Sequence, residues 1–480
     1  MYLRSVAASR EPALRFSPWA TALWSVLWVV LMVDVHGDTL GGDPLDQLHT
    51  PSASAMRVVG RDLEVAMGAA QAPAFERRLW EALHGTAGDA LDSAVYVESD
   101  LLAYFEWRDG EGAPRAEKTR SRLALLLAAS GDTAGALALA AQAGDDGALA
   151  NDLRFVYGEG GRPPGETFAA LLAAQDSWLA SSVQASLDAR MGKADAARAE
   201  RTRRQRRSSR GYRAARHTVA LGAALVLAGV LVLAGWAVRR GSGAPGLGGP
   251  PWTLADGLAV FVRADVWNRL FFAGLTRLPV SVTESSAGEF LWQWSTLLAS
   301  LPLVWLAHRH LARPHRLARP APFGLRPGPR ELPHLAAISL AALAIDLTGT
   351  YALASAGFAL GFEGHWSEGL DEVLIWGAPA SALLTAVDYV VWAPLFEELA
   401  FRGVLYFSLR SRLGPVPAAL ASAILFGAVH FYSVPGFAGT LWSGLVWAWV
   451  YERSRSLVPG IAAHAVYNGL YVLGQVTLYR

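Results

Sequence analysis

Glu397, Glu398 and Arg402 stand within six residues of one another in the stretch APLFEELAFRG (393–403), deep in an apolar half of the chain. A charge at the centre of a bilayer costs about 2.5–3.5 kcal/mol on insertion scales, so three of them together imply a use. On a helix, Glu398 and Arg402 are four residues apart and lie one above the other, which suits an ion pair. Glu397 is rotated by about 100° from that face and is left to meet something else. Pro394 disrupts helical bonding just before the carboxylates and can start a fresh turn there. Taken alone, the same charges also suit a plain helix end that snorkels into headgroups.

Two further stretches carry catalytic-type side chains at the same spacing. In LFGAVHFYS, Phe426 and His430 share a face of an apolar segment, and Gly427 permits close helix approach. In GIAAHAVYNGL, His464 and Asn468 are one turn apart and aim the same way. A lone His or Asn in a membrane helix is often interhelical glue worth about 1 kcal/mol. The three together offer carboxylates, an imidazole, and an imidazole with an amide. A poorly solvated carboxylate acts as a general base, and an amide with an imidazole suits an oxyanion. Two imidazoles and a carboxylate (His430, His464 and Glu397) can hold either a divalent metal such as zinc or a water. With no cysteine in the chain, thiolate nucleophiles and thiolate metal sites are excluded.

The motifs EELAFR, FGAVH and HAVYN match, in order and spacing, the EExxxR, FxxxH and HxxxN motifs of the CPBP (Abi) family of CAAX prenyl proteases and bacteriocin-processing enzymes. The chain resembles that family over roughly 285–480. The resemblance implies glutamate-dependent peptide hydrolysis within the membrane, in a family usually classed as metalloproteases. It implies that Glu397 and His430 activate water and that His464 and Asn468 stabilise the oxyanion. Glu398 and Arg402 would shape the first helix, with Phe426 supporting it. The implied substrate is a membrane-proximal peptide or protein, and zinc is an open requirement. A non-catalytic scaffold or bacteriocin-immunity protein, and a metal or proton transporter, are the competing readings. Retention of every motif residue disfavours the scaffold, and the lack of an internal repeat disfavours transport.

The elements that must position these residues form an all-α, multi-pass membrane protein. The chain has 480 residues, 52% of them hydrophobic and 17% charged. Residues 1–39 hold an apolar anchor, and 40–216 read as a soluble helical domain with turns at Gly131 and Gly192, similar to tetratricopeptide pairs. That domain offers a surface for a protein partner; near-zero net charge gives no reason to expect nucleic acid. Residues 217–284 read as a membrane helix, a Gly/Pro linker and an amphipathic interfacial helix. The protease-like part, 285–480, follows. Eight arginines in 201–216 adjoin the 217–238 span. If 254–280 does not cross, those arginines share a side with the basic loops at 308–330, 402–412 and 452–455, and the positive-inside rule makes that side cytoplasmic. A bacterial inner membrane is the expected location. Asp388 is a weaker candidate for the same cavity; Asp346, His365, Trp442, Trp447 and Trp449 read as packing or loop residues.

Overall fold

The computed structural model describes residues 16–41, 43–143, 147–175, 177–239, 247–278, 291–292, 294–315 and 323–480. Most of the N-terminal part of 1–39, and parts of the Gly/Pro linker, the 254–280 segment and the 308–330 loop, fall outside them. Every regular element among the described residues is helical. Three helices are long and apolar enough to cross a membrane: Ala194–Ala237, Leu332–Ala359 and Pro379–Leu413.

In chain order the helices are α1 (Pro18–Gly41), α2 (Pro51–Ala69), α3 (Ala74–His84), α4 (Ala87–Asp109), α5 (Pro114–Ser130), α6 (Thr133–Ala140), α7 (Ala148–Tyr157), α8 (Glu166–Ala173), α9 (Ser177–Arg190) and α10 (Ala194–Arg239). They continue with α11 (Leu254–Thr276), α12 (Ser295–Leu306), α13 (Leu332–Ala359), α14 (Glu372–Trp376), α15 (Pro379–Leu413), α16 (Pro415–Ala428), α17 (Val434–Ser454) and α18 (Val458–Gly474). They form two units, one of Met1–Gly42, Leu221–Glu368 and Gly377–Val472, the other of Asp43–Ala220, Gly369–Trp376 and Leu473–Arg480.

The second unit is a stack of helices joined by short turns. Gly131 ends α5 at φ 106° and Asp132 then caps α6 by accepting from the Gly135 N–H; Gly192 turns between α9 and α10 at φ 72°. These are the two turns read from the sequence, and both take the left-handed backbone that glycine tolerates. Thr86 and Asp89 form a reciprocal capping box at the start of α4. Leu101, Leu125, Leu126, Leu153 and Val183 are fully buried. Two pieces of the C-terminal half complete this unit. The Glu372 carboxylate accepts from His49 N, Thr50 N, Thr50 Oγ1 and Ser54 Oγ at 2.7–2.9 Å, capping α2 from far along the chain. Arg480 Nη1 donates to the Leu374 carbonyl.

The first unit is a helical bundle. Gly444 of α17 lies against α16, where a Cβ would come within 2.9 Å of Ala423 Cβ, so the two backbones approach closely. Asp346 of α13 accepts from Ser443 Oγ at 2.6 Å, the helix-packing bond expected for it. Trp442 Nε1 donates to the Ile345 carbonyl, and His365 lies in the loop after α13. At one end of the bundle Arg410 pairs with Glu452 at 2.5 Å, Tyr406 donates to the same carboxylate, and Leu247 N donates to it. Trp252 Nε1 donates to Ser408 Oγ there, and Leu457 N to the Phe323 carbonyl.

The segment 254–280 departs from the interfacial, amphipathic helix expected of it. α11 starts beside Ser408 and packs into the bundle with Val260 and Val266 fully buried and Arg263 and Arg269 nearly so. The charges are accommodated by partners. Asp265 accepts from Arg269 Nε at 2.7 Å, one helical turn on, and from Trp28 Nε1 of α1 at 2.6 Å. Arg263 lies over the Phe16 ring at 4.1 Å. A segment with three charges reads as interfacial only while their partners on another helix are unseen.

Candidate active site

α15 carries the carboxylates, and it is not a uniform helix. Asp388–Trp392 and Glu398–Tyr406 are π-helical, separated by one α-turn, Ala393–Glu397. Pro394 supplies no N–H and its ring crowds the preceding turn; the π stretch just before it absorbs that misfit, as insertions of this kind do at functional sites. The turn then delivers Glu397 and Glu398 side by side with different surroundings.

Glu398 is 1% exposed and Arg402 fully buried, with Arg402 Nη1 at 3.0 Å from Glu398 Oε1. The guanidinium lies over the Phe426 ring at 4.2 Å and over Trp447 at 5.0 Å, so cation–π contact supplements the ion pair. His464 Nδ1 is 3.4 Å from Glu398 Oε1 and its Nε2 is 3.9 Å from Glu397 Oε2. Its ring stacks on Trp447 at 4.0 Å. The three motifs therefore meet, and Phe426 and Trp447 form the aromatic wall between them.

Glu397 is 31% exposed at its side chain and lines a cavity of about 420 Å³ together with His430. His430 Nδ1 is 2.6 Å from the Phe426 carbonyl. A carbonyl can only accept, so Nδ1 carries the proton, and Nε2 of the neutral ring keeps its lone pair for a proton or a ligand. The wall is otherwise mostly apolar, with Phe261, Phe396 and Leu303 among its residues.

His464 and Asn468 stand elsewhere. His464 is buried behind the two glutamates, and Asn468 Nδ2 donates to the Tyr389 carbonyl at 2.8 Å. Neither is among the residues lining the cavity. Asn468 thus satisfies a carbonyl in the π stretch of α15, where the helical ladder is broken. Asp388 accepts from Thr296 Oγ1 at 2.9 Å, and it is Thr296 that reaches the cavity.

Two contributions were not read from the sequence. Trp447 is 2% exposed and stacks on His464, where an aromatic belt or general packing was expected; only the fold tells a ring behind a histidine from one facing lipid. Asp265, Asn268 and Arg269 of α11 line the cavity as well. Their spacing of three and four residues signalled one helix face, but nothing in it pointed towards Glu397.

Zinc fits this arrangement poorly. Among the described residues no three His, Asp or Glu side chains converge as a ligand set. Glu397, His430 and His464 are divided between the cavity and the packed interior behind it.

Residues 379–470 match the model of the family described as type II CAAX prenyl endopeptidase Rce1-like. This segment is similar to the Rce1-like family. It contains all three motifs, so the family resemblance drawn from them holds over it. The matched segment runs from the start of α15 to within α18 and leaves α11 and the second unit outside. No curated protein and no solved structure matches the chain.

Proposed function

We propose that the protein is an intramembrane endopeptidase in which Glu397, with His430, activates a water to cleave a peptide bond of a membrane-associated substrate. The observation that carries this reading is that Glu397 of α15 and His430, in the turn just after α16, line one cavity while Glu398, Arg402 and His464 pack behind it. The Glu397 carboxylate takes a proton from the water as the oxygen adds to the carbonyl carbon. The carbonyl becomes an oxyanion, the C–N bond then breaks, and the proton passes to the departing amine. His430, with Nε2 unprotonated, holds and orients the water. His464 braces both carboxylates, and Asn468 fixes the turn that presents them. Asn268 brings a carboxamide to the cavity wall, and we assign it the role of holding the peptide carbonyl.

Reconstitution in liposomes with a library of membrane-anchored peptides, read by mass spectrometry, tests the proposal. Glu397→Gln is expected to lower the cleavage rate by about 10²–10⁴-fold and His430→Ala by a comparable factor. Cleavage at the native rate in both variants would overturn the mechanism.

We also infer an orientation in the cell membrane. α10 runs towards the end of the bundle that holds Arg410, since Trp236 near its C-terminus meets His334 at the start of α13 and Leu247 just beyond reaches Glu452. Arg326, Arg330, Arg410, Arg412, Arg453 and Arg455 belong to loops and helix ends there, whereas 360–368 and 429–436 contain two glutamates and no Arg or Lys. The positive-inside rule makes the arginine end cytoplasmic. The chain before residue 221 then leaves from the extracytoplasmic end. This reverses the side expected when 254–280 was read as lying in the interface. The eight arginines of 201–216 adjoin the span and weigh for the opposite side, so protease access decides between the two orientations. Protease added to intact spheroplasts is expected to digest residues 43–216; protection of that region there, with digestion only after lysis, reverses the assignment.

A further inference from the structure

α3 differs from the other helices of its unit in that none of its residues is buried. Phe75, Leu79 and Leu83, spaced four apart, are 81%, 52% and 40% exposed. Such spacing puts all three on one face. The adjacent face is engaged. Glu76 accepts from Tyr212 Oη at 2.7 Å and from Arg216 Nη1 at 2.9 Å, and Trp80 packs edge-on against Tyr212 at 5.1 Å. Both partners belong to α10, which continues without a break into its apolar run. That run starts right after Arg216, and Val219 is already 36% exposed. The apolar stripe of α3 is therefore tied to the last polar turn before a membrane span. Arg78 is exposed on the flank of the stripe away from α10, where a long basic side chain can lie along apolar surface and reach a headgroup.

From this juxtaposition we propose that α3 is an interfacial helix whose Phe75–Leu79–Leu83 face inserts into the headgroup layer of an anionic leaflet, with Arg78 and the arginines of α10 meeting lipid phosphates. An amphipathic helix with basic residues beside the apolar stripe lies in the membrane plane about 5–10 Å deep. A membrane is favoured over a second protein because the helix that holds α3 runs without a break into a stretch long and apolar enough to cross a membrane, and because the flanking charge is basic. The contact fixes the helical unit at the surface where membrane-associated peptides arrive.

The chain has no cysteine, so a single introduced thiol reports one position. Leu79→Cys in the full-length protein, carrying a small fluorophore, is reconstituted in vesicles containing phosphatidylglycerol. Glu111→Cys, at an exposed turn of the same unit, serves as the reference. The expected result is several-fold stronger quenching of the Leu79 label than of the reference by shallow nitroxide lipids, and several-fold weaker quenching by aqueous iodide. Arg78→Glu is expected to reduce the lipid quenching in anionic vesicles and leave helix content by circular dichroism unchanged. Equal iodide access at both positions overturns the proposal. Shielding from iodide without lipid quenching, lost when the protein is diluted with excess empty lipid, also overturns it and points to a second copy on this face.

Discussion

At the scale of single residues, the site depends on a division between two adjacent glutamates. Glu398 is held by Arg402 and touches His464 at 1% exposure, while Glu397 keeps a side chain 31% exposed and open to the cavity. Removing one partner of a buried ion pair leaves the other charge uncompensated, at a cost of about 3–5 kcal/mol. Arg402→Met is therefore expected to lower the thermal midpoint of the detergent-solubilised protein sharply, whereas Glu397→Gln leaves it nearly unchanged and abolishes cleavage. Equal loss of stability in the two variants contradicts the division of roles. Asn268 is the second residue-scale test. Asn268→Leu is expected to lower kcat/KM for a cleaved peptide by about 10²–10³-fold, the order of effect of losing a carboxamide that binds a reacting carbonyl, with the folding midpoint unmoved.

At the scale of elements, close packing of α16 against α17 places Phe426 and Trp447 around the guanidinium. Gly444 permits it, because an added Cβ would meet the Cα and Cβ of Ala423 at about 3 Å. Gly444→Val is expected to destabilise by about 1–3 kcal/mol through overpacking and to reduce activity by moving both rings. Unfolding followed by tryptophan fluorescence checks the first effect. A variant as stable as the parent means that α16 can shift without cost. In the helical unit, Thr86→Ala removes the side-chain acceptor at the start of α4 and is expected to cost about 1 kcal/mol without affecting cleavage.

At the scale of the whole molecule, the helical unit is built from three distant pieces of chain, and Glu372 joins two of them. Burial raises the Glu372 pKa, but the bonds from Thr50, Ser54 and His49 outweigh it and hold the carboxyl below its ordinary value. A lowered folded-state pKa contributes stability that is complete above the unfolded value, near 4.3, and is lost as pH falls through the folded value. The midpoint of this unit is thus expected to drop as pH falls below about 4.3 more steeply in the parent than in Glu372→Gln. Parallel pH profiles for the two count against the cap.

The motifs EELAFR, FGAVH and HAVYN name the acid, the imidazoles and the amide of the proposed site, and i, i+4 spacing fixes the Glu398–Arg402 and Asp265–Arg269 pairs, because neighbours on one helix need no knowledge of any other. The helical class and the turns at Gly131 and Gly192 were legible for the same local reason. Only the tertiary structure decided which side chains share a space. That Glu397 and His430 open onto one cavity, that Asn468 secures α15, that Trp447 backs His464 and that α11 supplies part of the cavity wall are contacts between segments tens to hundreds of residues apart. Periodicity tells which way a side chain points from its own helix axis, and what it meets there depends on how the helices pack.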